Sequence, residues 1–242
     1  WQDRYHQRKK MTGTLTHLTL ASHAAVTSAP AQEPVIAFRN VEKSFHVGKH
    51  DIPVLKMVNL AIYPQEFVVI LGPSGSGKST LLNHILGLES PTRGQILIHG
   101  QDIAHLSQEK IAKIRYRYFG VIFQRPDWIH SLNVLQNVML PLAIHNVPGK
   151  ERSEKAMQQL REAEMSKFAH YPPTDLSGGQ QQKVALARSL INSPDIIIAD
   201  EPSGNLDTVS ANKVMELFKQ LNEQQHKTVI MVTHNIEYAR YG

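Results

Sequence analysis

Three short stretches carry residue types that could act on an anion. The first, Gly72-Pro73-Ser74-Gly75-Ser76-Gly77-Lys78-Ser79-Thr80, follows an apolar run and fits the spacing G-x-x-x-x-G-K-[ST]. Its glycines let backbone N–H groups turn inward with no Cβ in the way. A helix starting at Lys78 would add roughly half a positive charge where a polyphosphate would lie. Lys78 would reach the β- and γ-phosphates, and the Ser79 hydroxyl would ligate Mg²⁺. The second stretch, Ile196-Ile197-Ile198-Ala199-Asp200-Glu201-Pro202, is an apolar strand ending in two acids. Parallel strands present functional residues at their C-terminal ends, so Asp200 can hold Mg²⁺ and Glu201 can take a proton from an attacking water. Read alone, it is also an ordinary acidic strand end before a turn. The third stretch, Leu176-Ser177-Gly178-Gly179-Gln180, is either a plain helix N-cap or a second anion site. One nucleotide does not need two such sites from one chain. Two copies, head to tail, would give each nucleotide one of each kind.

These stretches need elements to position them. Val35–Asn40, Asn59–Ile62, Glu66–Leu71, Gln95–Ile98, Phe119–Phe123, Ile196–Ala199 and Thr228–Val232 read as strands. Lys78–Leu88, Ser107–Arg117, Glu151–Met165, the segment from the third stretch to about Asn192, and about 209–222 read as helices. Continuous Val/Ile strands alternating with helices imply an α/β fold whose parallel sheet is covered on both faces. Residues 125–176 contain no β-rich run and read as a mainly helical insert. Residues 1–34 show no sustained period and are rich in Ala, Ser, Thr and Pro toward their end, which reads as a flexible basic tail and linker.

Composition narrows the function classes. With 242 residues the chain can bury one core and a subdomain. It has no cysteine, which excludes disulfides and thiolate metal sites. No apolar run approaches the ~20 residues of a spanning helix, so a membrane role must come through a partner or through chain not present here. The net charge is +5, but residues 1–10 hold Arg4, Arg8, Lys9 and Lys10 against Asp3 alone. The body is close to neutral, and no nucleic-acid partner is expected.

The order and spacing of the motifs resemble an ATP-binding-cassette (ABC) ATPase. The resemblance rests on the phosphate loop, Gln124 after a strand, Leu-Ser-Gly-Gly-Gln, Ala199-Asp200-Glu201-Pro202, Gly204-Asn205-Leu206-Asp207 and Thr233-His234, and it covers about residues 35–242. Phe119-Gly120-Val121-Ile122-Phe123-Gln124, Asn137-Val138-Met139-Leu140-Pro141-Leu142 and the Gln180-Gln181-Gln182 run resemble the macrolide-exporter and lipoprotein-releasing branch. The resemblance implies a P-loop NTPase fold with an antiparallel β region near the N-terminus and a helical subdomain. It implies ATP and Mg²⁺ as cofactors, with Phe45 stacking on adenine and Gln124 contacting Mg²⁺ or the water. Ser177, Gly178, Gly179 and Gln180 would bind the γ-phosphate of an opposite subunit, Asp207 would cross that interface, and His234 would contact the γ-phosphate and orient Glu201. Implied partners are a second copy and transmembrane permease subunits or a fused membrane domain, at the cytoplasmic face of the inner membrane.

Four departures from the branch pattern stand out. Phe45 replaces a usual Tyr, Gln136 a usual Glu, Lys183 a usual Arg, and Asn235 a usual Asp. The chain also starts without Met and stops at Gly242, where the family adds further strand and helix, as expected of an excerpt. The alternative functions are non-transport cassettes. DNA-repair and chromosome members carry long coiled coils, and the insert here has no sustained heptads. A cell-division signalling module resembles the same branch. A binding module with dead chemistry would not need Lys78, Asp200, Glu201 and His234 together.

Overall fold

The computed structural model describes residues 19–21, 32–48, 50–204 and 206–242. Most of the basic tail and linker expected over 1–34 lies outside these residues. Two sheets form the body. A long hairpin, β2 (Ile36–Val47) and β3 (His50–Ile62), pairs antiparallel and continues through β5 (Arg93–Ile98) and β6 (Gln101–Asp102) in the order β3-β2-β5-β6. The second sheet has the order β1-β4-β9-β8-β7, from β1 (Thr19–Ala21), β4 (Phe67–Leu71), β7 (Phe119–Ile122), β8 (Ile196–Asp200) and β9 (Thr228–Thr233). Strands β4, β9, β8 and β7 are mutually parallel, as the unbroken Val/Ile runs require of a sheet buried on both faces.

β1 lies within the stretch 1–34 that reads as tail and linker. Thr19–Ala21 pairs antiparallel with Leu71–Val69. The β4 edge offers unpaired N–H and C=O groups, which a short piece of extended chain satisfies. The hairpin is also longer than the two short strands expected there. Polar residues interrupt its alternation, and cross-strand pairing carries it past them.

The helices are α1 (Lys78–Ile85), α2 (Gln108–Tyr118), α3 (Val134–Ile144), α4 (Gly149–Glu162), α5 (Gly178–Ser189) and α6 (Thr208–Glu223). One core lies between the two sheets around α1, where Ile36, Ile62, Ile70, Leu81, Ile85 and Ile96 are fully buried. A second covers the other face of the parallel sheet with Val214, Met215 and Phe218 of α6. Side chains of this size contribute about 1.5–3 kcal/mol each on burial. The third core belongs to the insert, where Val134, Val138, Leu142, Leu160 and Met165 pack on Val184 and Ala187 of α5. Helix α5 therefore serves both bodies.

Helix α3 is apolar on nearly all faces and contains Pro141, so it has no helical period to read. Its start is marked instead by a capping box: Asn133 Oδ1 accepts from the Gln136 amide, and Gln136 Oε1 accepts from the Asn133 amide. A glutamine makes this bond as well as the glutamate the branch pattern expects. Two further departures, Lys183 and Asn235, also find partners. Lys183 Nζ lies 2.8 Å from Glu164 Oε2, and Asn235 Oδ1 accepts from the Glu237 amide.

Candidate functional site

Strand register brings the site together. Leu71 pairs with Thr233, Asp200 with Val232, and Ala199 with Ile122. The residues just past these ends, Gly72, Glu201, His234 and Gln124, therefore emerge side by side along the C-terminal edge of the sheet. They open on a cleft of about 560 Å³ lined by Ser74, Gly75, Gly77, Lys78, Ser79, Thr80, Gln124, Asp200, Glu201, His234 and Val54.

The phosphate loop supplies one wall. Gly75 (φ +79°) and Gly77 (φ +91°) adopt backbone conformations that side chains disfavour. Lys78 is buried, and its Nζ donates to the Gly72 and Pro73 carbonyls at 2.7 and 2.9 Å. The ammonium is thus aimed across the loop. Gly72 and Ser76 do not line the cleft; a Cβ on Gly72 would lie 2.6 Å from Ser76 Oγ, which is buried with no hydrogen-bond partner among the described residues.

The acids supply the facing wall. Burial and the Glu201 carboxylate alongside push the Asp200 carboxyl up, against the pull of Lys78. A cation at Asp200 would relieve both. Among the described residues no group of three or more His, Asp or Glu could hold a metal. The donor set of one carboxylate, the Ser79 hydroxyl and the Gln124 amide suits Mg²⁺, which takes few protein ligands and completes its shell with phosphates and water. Glu201 stands at φ +50°, a left-handed conformation that costs a non-glycine residue about 1–2 kcal/mol. Its amide is tied to the Val232 carbonyl at 2.8 Å. His234 Nδ1 lies 2.8 Å from Glu201 Oε1 and 2.6 Å from Oε2. Toward an ionised carboxylate, which only accepts, Nδ1 would be the donor.

Val54 was not legible in the sequence. A break in register between Lys43 and Ser44 leaves Val54 as the extra residue of β3, and this bulge directs it against the loop. A Cβ on Gly77 would lie 3.2 Å from Val54 Cγ1. Phe45 is half-buried on the same hairpin but is not among the lining residues.

Gln124 is held by the helix that follows the signature stretch. Gln182 Nε2 donates to the Phe123 and Gln124 carbonyls at 3.3 and 3.0 Å, and Gln181 Oε1 accepts from Trp128 Nε1 at 3.0 Å. The second and third glutamines of the run clasp the 123–128 segment. The first caps α5: Gln180 Oε1 accepts from the Ser177 amide, and Ser177 Oγ accepts from the Gln180 amide. Opposite Gln124, a Cβ on Gly204 would lie 2.7 Å from its Nε2. Gly204→Ala is therefore expected to displace the Gln124 amide while leaving the fold intact. A several-fold fall in ATP turnover at an unchanged melting temperature would show this, and unchanged turnover would mean that the Gln124 amide position is immaterial.

Ser177 and Gly179 do not reach this cleft. With Gln180, Lys183, Ser210 and Lys213 they line a separate depression of about 270 Å³. Asp207 is outside both: it caps α6, its Oδ1 accepting from the Ser210 amide at 3.0 Å, and bonds to Ser210 hold its carboxyl below the usual range.

The profile of the family described as ABC transporter matches residues 55–204. The chain belongs to the ABC transporter family. Its ATP-binding cassette is 46% identical over 212 residues to an uncharacterized ABC transporter ATP-binding protein of Methanocaldococcus jannaschii, covering 86% of this chain and 90% of that one. It is 38% identical to the lipoprotein-releasing system ATP-binding protein of Hydrogenovibrio crunogenus, covering 85% and 89%. It is 40% identical to a macrolide export ATP-binding/permease protein of Wolinella succinogenes, covering 87% of this chain and 33% of that longer one. A solved dimeric cassette in a post-hydrolysis state, bound to ADP and Pi, superimposes with a TM-score of 0.79 at 45% identity, covering 86% of this chain and 91% of that one. The cassette is an ATPase of this family, and both the α/β P-loop fold and the antiparallel β region expected of it are present.

Proposed function

We propose that the cassette works as a head-to-tail pair that closes on two ATP–Mg²⁺ and passes the motion to a membrane permease, subunit or fused domain, for export or extraction. The observation that carries this reading is the division of the phosphate-binding features between two separate surfaces. Lys78, Ser79, Gln124, Asp200, Glu201 and His234 share one cleft, and Ser177 with Gly179 sit on another. In the pair, Ser177 and Gly179 of one copy meet the γ-phosphate held by the loop of the other, with Asp207 at the same interface.

Within each cleft, Lys78 leaves its two carbonyls for the β- and γ-phosphates. Ser79, Asp200 and Gln124 would hold Mg²⁺, which supplies charge neutralisation at the phosphates. Glu201 takes the proton of the attacking water. With Nδ1 turned to Glu201, Nε2 is the ring nitrogen left for a phosphate oxygen. Among the described residues no helix is long and apolar enough to cross a membrane. We assign the permease to the groove of about 580 Å³ between α2 and the insert, where His145 and Lys155 are exposed and Tyr116 is half-buried beside them. With that contact the cassette would lie at the cytoplasmic face of the membrane, as the resemblance implies.

Asp200→Asn tests the metal assignment. It removes a carboxylate whose ionised form is disfavoured in the folded chain. A carboxyl raised on folding gives stability that is complete below its unfolded pKa and lost as pH rises through the folded one, so at neutral pH the native Asp200 is a net cost. The variant is expected to melt at or slightly above the parent without nucleotide, by no more than the ~2–4 °C that about 1 kcal/mol gives at this size. It is also expected to lose the Mg²⁺ stimulation of ATP binding. A variant that keeps that stimulation would remove Asp200 from the metal site.

A further inference from the structure

Lys43 lies two residues before Phe45 on β2, so both side chains project from one face of the strand. The Lys43 side chain is only 17% exposed. Its Nζ donates to the Ser90 carbonyl at 2.9 Å and lies 3.7 Å from Glu89 Oε2. The same ammonium sits 5.0 Å from the centroid of the Phe45 ring. Glu89 is itself fixed, because its Oε1 accepts from Asn83 Nδ2 at 2.8 Å. Asn83 is on α1, the helix whose first residues are Lys78 and Ser79. A continuous set of contacts therefore runs from the phosphate-loop helix, through its closing turn, to one face of the Phe45 ring. None of these residues lines the cleft, and none has a role in the mechanism above.

We infer that Lys43 is a positioning residue for the nucleotide base: it clamps the Phe45 ring to the end of α1 and so fixes the spacing between base and phosphates. This rests on the reading of Phe45 as the ring on which adenine stacks. Two physical effects act together. The ammonium occupies one face of the ring and leaves the opposite face for the base. It also draws π-density toward itself, which lowers the repulsion between stacked π-clouds on that opposite face. Burial first, and the nearby Lys43 as well, lower the pKa of His84, which is buried beside this turn on α1, and so disfavour a second cation next to Glu89.

The test measures equilibrium binding of a non-hydrolysable ATP analogue and of inorganic tripolyphosphate to the whole chain. The variants are Lys43→Met, Lys43→Arg, Phe45→Leu and the double variant Lys43→Met/Phe45→Leu. Lys43→Met is expected to weaken the analogue about two- to fivefold, the range a cation–π contact supplies, and to leave tripolyphosphate binding unchanged. Lys43→Arg, which keeps a cation able to stack, should restore the analogue. The double variant should bind no worse than Phe45→Leu alone. Equal weakening of analogue and tripolyphosphate would make Lys43 a general support of the loop and overturn the inference. Additive losses in the double variant, or normal binding by Lys43→Met beside a weakened Phe45→Leu, would overturn it while leaving Phe45 as the stacking ring. Unchanged binding in Phe45→Leu would remove the base reading of that ring, and the inference with it.

Discussion

Glu201→Gln is expected to lower steady-state ATP turnover by about 10²–10⁴-fold, the range a positioned general base contributes, while nucleotide binding stays near the parent value. The substitution is chosen on geometry. Gln keeps the length of the side chain and one carbonyl oxygen, so it can still accept from His234 Nδ1, which lies within 2.8 Å of Oε1 in the native chain. The backbone remains tied to Val232, and the residue keeps its left-handed φ of +50°. What disappears is the negative charge and the ability to take a proton. A second consequence separates this variant from a misfolded one. Glu201 is one of the groups that push the Asp200 carboxyl up, so its neutralisation should bring Asp200 closer to its ordinary value. Phosphate release under saturating ATP, with equilibrium binding on the same preparation, checks the main expectation. Hydrolysis at the parent rate would remove Glu201 as the base.

Side chains that act through their own backbone context were legible in the sequence. The phosphate loop announces itself because Gly75 and Gly77 must adopt positive φ, which few other residues tolerate. The acids at 200 and 201 follow from the rule that strand C-termini carry the chemistry of a parallel sheet, and register puts them there. The remainder depended on pairing across long sequence distance. Val54 reaches the loop only because β2 and β3 slip register at Lys43 and Ser44, and no local pattern of a strand reports a slip made with its partner. Gln181 and Gln182 read as an extension of a motif, yet their amides find Trp128, Phe123 and Gln124 more than fifty residues away. Helix α3 lacked a period because it is apolar nearly all round, and only the reciprocal bonds of Asn133 and Gln136 mark its start.

The separation of the two anion surfaces makes the second large prediction one of complementation. Lys78→Met removes the buried ammonium from the cleft. Gly179→Asp brings a carboxylate to the depression beside Ser177, against Ser210, whose Oγ would lie 3.1 Å from the new Cβ. Each variant alone is expected to lose turnover by at least the ~10²-fold that loss of one preorganised donor costs. Mixed together they should recover. In a head-to-tail pair each site takes its loop from one copy and its Ser-Gly-Gly turn from the other. A mixed pair therefore contains one site with both defects and one with neither. Random pairing of equal amounts gives up to about a quarter of all sites intact, by the symmetry of a two-fold assembly. If each chain instead built its whole site in cis, every site would carry one defect, and mixing would restore nothing. Turnover measured across mixing ratios separates the two. A rise with its maximum at equal amounts requires sites shared between copies, and a flat line would end the head-to-tail reading even though the cleft of each chain stayed intact.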